Sequence, residues 1–306
     1  MKLAVIKGSC KTFNSIQKGI EHRGDQFFIA DTISDVAQDV DCFLQTNLLK
    51  PKFYQSDKHT IYEYILKSKK PFLVQESASF REHIEYTRLG WYSYKWSEGI
   101  FGNKNSPRDR WTKFEKDTGI RFKDWHSPGS HILIMGQKEG DSSLNKLYNS
   151  YDTFYQWVED IIKRIRQHSD RTIVIRPHPR NLKYGINQSE RIRAKFKNVI
   201  VSKDVNSNGY TGGESLERDL QNAHCVVTYN SLSAVESVVK GIPTFALDDG
   251  SMIWPIAHKD LSKIESLDYN IDITQWQNDI AYCQWTNQEH KTGESWAHLK
   301  PLIFKD

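Results

Sequence analysis

The sequence predicts an α/β protein made of two successive doubly wound units, and three observations carry that prediction. Short apolar runs rich in β-branched residues alternate with amphipathic segments of helical spacing. The alternation is interrupted once, over residues 88–128, by a stretch rich in aromatics, glycine and charge. Several apolar runs end abruptly in polar residues, as strands of open α/β sheets do where ligands collect.

Taken in order, KLAVIKG is a strand and FNSIQKGIEHRG a helix ending at Gly24. QFFIAD and DCFLQTN are further strands. HTIYEYILKSKK has helical spacing and a basic end that suits the helix dipole. PFLVQES is a strand with a polar end. This βαβα order implies a parallel sheet covered by helices. Within the interruption, DRWTKFEKDTG forms a helix with Pro107 near its first turn. The second unit opens with the strand HILIMG, followed by the amphipathic helix YDTFYQWVEDIIKRIRQHS. Then come strand TIVIRPHPR, helix SERIRAKFK, strand NVIVSK, helix SLERDLQNA, strand CVVTYNS, helix SAVESVVKG and strand PTFALD. The expected domains are residues 1–128 and 129–275, with 276–306 as terminal helices packing back on the body.

With 306 residues, 38% hydrophobic, the chain can build two cores. No apolar run reaches the roughly 18–20 residues of a membrane span, and the opening MKLAVIKGSC is too short in its apolar part for a signal peptide. Cys10, Cys42, Cys225 and Cys283 are far apart, as reduced thiols of a cytoplasmic protein would be, not a disulfide frame or zinc site. The net charge of +4 is too small to indicate nucleic acid by itself.

Three strand ends in the second unit carry chemistry. In ILIMGQKEGDSS, Gly136 lets the backbone turn and leaves amides to a ligand, while Gln137, Lys138, Ser142 and Ser143 supply polar groups that can cradle an anion. The spacing is not that of a Walker loop. In RTIVIRPHPR, Pro177 and Pro179 hold the chain extended between Arg176 and Arg180, which aims His178 in a fixed direction. In VVTYNSLSAVESVVKGIP, Asn230 and Ser231 sit where a helix begins, and Glu236 follows in that helix, placed to accept from ribose hydroxyls. The plainer alternatives are a solvated lysine loop, a histidine satisfied by a carbonyl, and a serine cap.

The order GQxxGDSS, RPHPR, TYNSLSAVESVVKGIP resembles the capsule-polysaccharide biosynthesis transferases, a Kdo-transferase-like group. PFLVQESASFRE and RLGWYSYKWSEGIFGNKNSPRDRW resemble, more weakly, that family's acidic segment and the stretch after it. The resemblance spans roughly residues 70–260. It implies a GT-B fold, two Rossmann-like domains facing across a cleft, and a glycosyltransferase. His178, Ser231 and the Gly136 loop would face the donor phosphates, with Arg176, Asn230 and Glu236 also on the donor. Glu76 would be the acceptor-side catalytic carboxylate. The family's aspartate after that glutamate is Ser77 here.

Glycosyl transfer passes through an oxocarbenium-like state, so donors aimed at the leaving phosphate and a carboxylate taking the acceptor proton suffice. Glu76 is the first choice for the base, with Asp109 and Asp124 as outside candidates. Asp248 and Asp249 are adjacent, not spaced as a DxD pair, so no metal and no cofactor beyond the nucleotide-sugar co-substrate is expected. From Arg88 to Lys123, nine basic residues stand against four acidic ones, interleaved with rings. That pattern suits a nucleic-acid groove. The expected acceptor is therefore double-stranded DNA carrying 5-hydroxymethylpyrimidine, as in a phage, contacted through Arg81, Trp91, Trp96, Lys104, Arg108, Arg110 and Trp111. The alternatives are a capsular or other surface glycan, and a sugar-nucleotide epimerase.

Overall fold

The computed structural model describes residues 1–10, 13–50, 59–127, 129–202 and 213–305. The chain begins with β1 (Lys2–Ile6), α1 (Asn14–His22), β2 (Gln26–Ala30), β3 (Cys42–Thr46), α2 (His59–Lys67), β4 (Phe72–Ser77), β5 (Tyr86–Trp91) and α3 (Asp109–Thr118). It continues with β6 (His131–Met135), α4 (Phe154–Ile165), β7 (Ile173–Arg176), α5 (Leu182–Arg193), β8 (Val199–Val201), α6 (Gly213–Gln221), β9 (Ala223–Thr228), α7 (Ser233–Val239) and β10 (Thr244–Ala246). It ends with α8 (Thr274–Ala281), β11 (Gln284–Thr286), α9 (Asn287–Lys291) and α10 (Glu294–Leu299).

Two compact units result: Met1–Gly119 with Thr274–Asp306, and Ile120–Ile273. The division differs from one at residues 128 and 275. The first unit's leading segment closes at Gly119, whose φ of +68° ends α3 in the left-handed region that glycine adopts without strain. The terminal segment supplies a strand as well as helices, and so belongs to the first unit's sheet.

In the first unit the strands run in the order β11-β5-β4-β3-β1-β2. The pairs β1–β2, β1–β3 and β3–β4 are parallel, whereas β5 and β11 are antiparallel. Alternate residues face opposite sides. Leu3, Val5, Leu44, Leu73, Leu89 and Trp91 join one core with Ile16 and Ile20 of α1. Ala4, Ile6, Phe43 and Val74 join another with Ile65 of α2. β5 lies inside the segment read as irregular. Its glycine is required: a Cβ at Gly90 would come within 2.3 Å of the Phe101 ring.

The second unit is a five-stranded parallel sheet ordered β10-β9-β6-β7-β8. Ile132, Ile134, Ile173, Ile175, Cys225 and Val227 pack on α4. Leu133, Met135, Val174 and Val226 pack on Leu216 and Leu220 of α6. Thr153 caps α4, its hydroxyl accepting from the Gln156 amide at 3.1 Å. α5 starts at Leu182, well before the expected SERIRAKFK. Gly185 and Tyr184 blur its pattern, yet Gly185 is fitted to its neighbour, since a Cβ there would meet the Tyr155 hydroxyl at 2.8 Å. From β6 the chain moves outward to β7 and β8, then returns to the other side of β6 as β9 and β10. The direction of winding therefore reverses between β6 and β9, the place where open α/β sheets bind ligands.

Candidate functional site

At that reversal the ends of β6 and β9 are tied together by side chains. Gln137, just past β6, donates from Nε2 to Asn230 Oδ1 at 2.7 Å and accepts the Asn230 amide on Oε1 at 3.0 Å. Asn230 Nδ2 donates to the Ser143 carbonyl at 2.9 Å and to Asp248 Oδ1 at 2.7 Å. Asp248, buried beyond the end of β10, also accepts the Gly250 amide at 3.0 Å. Three adjacent strand ends thus share one hydrogen-bonded network, in which both amide side chains are held in a single orientation. The sequence showed Gln137 and Asn230 as separate candidates. Asp248, dismissed there as one of an unspaced pair, turns out to be what holds Asn230.

Gly136 serves the close approach of β6 to β7. Its amide donates to the Arg176 carbonyl at 2.7 Å, and a Cβ would sit 2.4 Å from that oxygen and 2.9 Å from the His178 nitrogen. This corrects the expectation that Gly136 leaves its amide to a ligand: the glycine is needed because the Arg-Pro-His turn crosses over it. The following loop curls on itself through Glu139, whose carboxylate accepts from the Tyr148 hydroxyl at 2.6 Å and from the Phe154 amide at 3.1 Å. Glu139 therefore fastens this loop to the start of α4, a role without a sequence signal. Lys138 is half-buried and Ser142 is buried.

After β7, His178 is half-buried, and its Nδ1 accepts the Arg180 amide at 3.1 Å. The same nitrogen lies 3.4 Å from the Arg180 carbonyl, so the turn folds closely around the ring. Arg176 departs from expectation. Its side chain lies on the α6 face, buried and ion-paired with Asp219, which also accepts from the Ser202 hydroxyl at 2.8 Å. Arg176 is the last residue of β7, whereas His178 lies beyond the strand in the proline-framed turn, so the strand does not set the two side chains in one direction. Ser231 is buried. It donates its amide to Thr228 Oγ1 at 3.0 Å and accepts the Ser233 amide on Oγ at 3.3 Å, so part of the helix start is satisfied internally. Glu236 is half-buried in the first turn of the seven-residue α7.

In the first unit, Glu76 is half-buried at the end of β4, opposite Arg88 of β5. Ser77 donates to Glu76 Oε1 from both its amide, at 2.8 Å, and its hydroxyl, at 2.9 Å. Arg88 is buried. Burial pushes its pKa down, and the charge of Glu76 is the largest influence opposing that. Asp109, one of the outside candidates, accepts from the Tyr282 hydroxyl at 2.8 Å.

The aromatic-basic segment is not an open stacking surface, and this corrects the acceptor reading. Trp91 is fully buried, its indole donating to the Leu299 carbonyl at 2.8 Å and its ring packed on Trp296. Trp111 packs on Phe80 and Phe114 in the interior. Tyr94, Phe101 and Phe114 are buried too. Arg110 stacks 3.6 Å over Trp285 and pairs with Glu289 at 3.1 Å, which joins the terminal segment to α3. Only part of the list reaches the surface: Lys104 and Arg108 are exposed, and Arg81 and Trp96 half-buried. The rings read as a binding pattern because β5 and α3 each need large apolar residues inward, at spacings that basic surface residues interrupt.

Among the described residues no helix is long and apolar enough to cross a membrane, and no group of three His, Cys, Asp or Glu is placed to hold a metal ion. No family model and no curated protein sequence matches the chain. Solved structures do. The Thermosulfurimonas dismutans KpsC β-Kdo 2,7 transferase is 12% identical, with 92% of this chain and 90% of that chain covered at a TM-score of 0.53. The KpsC β-Kdo 2,4 transferase of the same organism is 10% identical, with 91% and 89% covered at 0.54. The likeness runs through both units, and the chain shares the fold of these two sugar transferases.

Proposed function

We propose that the protein is a glycosyltransferase that takes a nucleotide-activated sugar as donor and a glycan hydroxyl as acceptor, of the capsular or surface-polysaccharide kind. The observation that carries this reading is the network of Gln137, Asn230 and Asp248 at the winding reversal of the second sheet. The fold shared with two Kdo transferases supports it. In this reading the nucleotide lies over the strand ends, with His178, Ser231 and the 136–143 loop toward its phosphates and Glu236 toward its ribose. The acceptor oxygen attacks the anomeric carbon, the bond from that carbon to the phosphate oxygen breaks, and the phosphate leaves with the electron pair. Hydrogen-bond donors fixed beside that phosphate stabilise the charge as it develops. Glu76 takes the acceptor proton. No metal and no cofactor besides the donor enters the scheme. DNA as acceptor is not carried forward, because most of the rings that suggested it, Trp91, Tyr94, Phe101, Trp111 and Phe114, lie in the core.

The test is direct. The protein is incubated with CMP-, UDP-, GDP- and dTDP-sugars, alone, with capsular oligosaccharides, and with 5-hydroxymethylated duplex DNA. Released nucleotide and product masses are measured. Release that depends on an oligosaccharide is expected. Release with DNA alone, or an isomerised donor without any acceptor, overturns the proposal.

A further inference from the structure

We propose that Ser77 and Arg88 are positioning residues that lock Glu76 in one orientation for proton abstraction. The inference rests on the reading of Glu76 as the acceptor-side base. Both hydrogen bonds that Glu76 receives come from Ser77 and go to one oxygen, Oε1, at 2.8 and 2.9 Å; Oε2 receives none from the described residues. A carboxylate held by one oxygen presents the other in a defined direction, which a general base requires.

Ser77 is itself clamped. Arg88 Nε donates to the Ser77 carbonyl at 2.8 Å, and Nη1 to the Tyr94 carbonyl at 2.9 Å. Arg88 is 5% exposed, its guanidinium lies 5.4 Å over the Tyr94 ring, and it makes no ion pair within 4.0 Å among the described residues. A buried cation without a paired carboxylate is costly, and a purely structural arginine would be expected to have one. Here the charge opposite it in the sheet register is Glu76. Arg88 therefore fixes the backbone of the residue that fixes Glu76, and leaves its charge to act on that carboxylate through space. A serine suits this position: its hydroxyl donates to Glu76, whereas a second carboxylate there would repel it.

The experiment uses the donor and oligosaccharide pair that turns over fastest in the panel above, and measures kcat and acceptor KM for the full-length protein and its variants. Glu76→Gln is expected to abolish transfer while retaining nucleotide binding. Ser77 is exposed, so Ser77→Ala leaves packing intact. It is expected to lower kcat roughly tenfold with KM within about twofold, the effect of one hydrogen bond to a charged group. Ser77→Thr, which keeps the hydroxyl, is expected to restore kcat. Arg88→Lys is expected to lower kcat in the same sense, with thermal melting run in parallel to exclude unfolding. Wild-type kcat in Ser77→Ala beside an inactive Glu76→Gln overturns this inference and leaves the base assignment standing. A rise in KM alone also overturns it, because Ser77 would then be contacting acceptor. An active Glu76→Gln, or no turnover of any pair by the wild-type protein, overturns the reading on which the inference rests.

Discussion

Asn230→Asp changes one group of the strand-end network and nothing of its shape. Asn230 Nδ2 donates to the Ser143 carbonyl at 2.9 Å and to Asp248 Oδ1 at 2.7 Å. The substitution puts an oxygen where that donor stood, facing two acceptors. If both carboxyl groups ionised at 2.7 Å, their repulsion would be at most about 6 kcal/mol at an effective dielectric near 20. The folded protein avoids this by keeping one proton between the two groups. A hundredfold gain in proton affinity on folding is worth about 3 kcal/mol. The sign follows from linkage: the folded variant binds more protons than the unfolded chain, so the contribution is present in acid and lost as pH rises. Urea unfolding of variant and wild type is compared between about pH 4 and about pH 7, the window that brackets a carboxyl raised about two units from about 3.9. The variant is expected to lie within about 1 kcal/mol of wild type at the acid end and about 3 kcal/mol below it at the basic end. A difference independent of pH would refute the arrangement of Asn230 and Asp248 described above.

Gly136→Ala forces a methyl group against the Arg176 carbonyl; a loss of about 1–3 kcal/mol in urea unfolding is expected, with donor affinity falling as the His178 turn is displaced. Trp91→Ala is expected to cost about 3–5 kcal/mol and Trp96→Ala about 1 kcal/mol or less, because the first ring is core and the second half-buried; equal costs in the same unfolding assay would contradict their placement. His290 is buried between Thr87 and Ser295, and burial pulls its pKa down to about 4. The unfolded chain then binds the extra proton first, so stability falls as pH drops from about 6.5 towards about 4. His290→Gln is expected to flatten that part of the stability profile, and an unchanged slope would refute the burial argument.

The second unit was largely legible because its strands are apolar on both faces and short helices separate them. Runs such as HILIM and TIVI admit few other structures once their flanking loops are polar. The strands of the first unit were legible only as far as β4, although the helix α3 was read from its spacing. Beyond it, β5 holds Arg88 and Gly90 in its middle, and an arginine inside a strand reads as surface until its carbonyl partners are known. β11 is three residues long, too short for any periodicity, and gains its place only by pairing with β5. At the candidate site, residue types were legible and connections were not. Arg176 and His178 are neighbours in sequence, but the partner that claims Arg176 is Asp219, on another element. Asn230 and Asp248 are likewise separated by a helix and a strand. The glycine at the β6 exit read as freeing an amide for a ligand, because the group that takes that amide, the Arg176 carbonyl, comes from elsewhere in the chain.

In the proposed function a nucleotide sits over the carboxyl ends of β6, β7, β9 and β10. Amide hydrogen exchange, with and without saturating CMP, UDP, GDP or dTDP, tests it most directly. Slowed exchange is expected only in the 136–143 loop, the turn at 177–181, the β9 exit at 229–233 and the 248–250 turn, with the nucleotide that binds. Protection centred on other segments, or none with any of the four nucleotides, would contradict it.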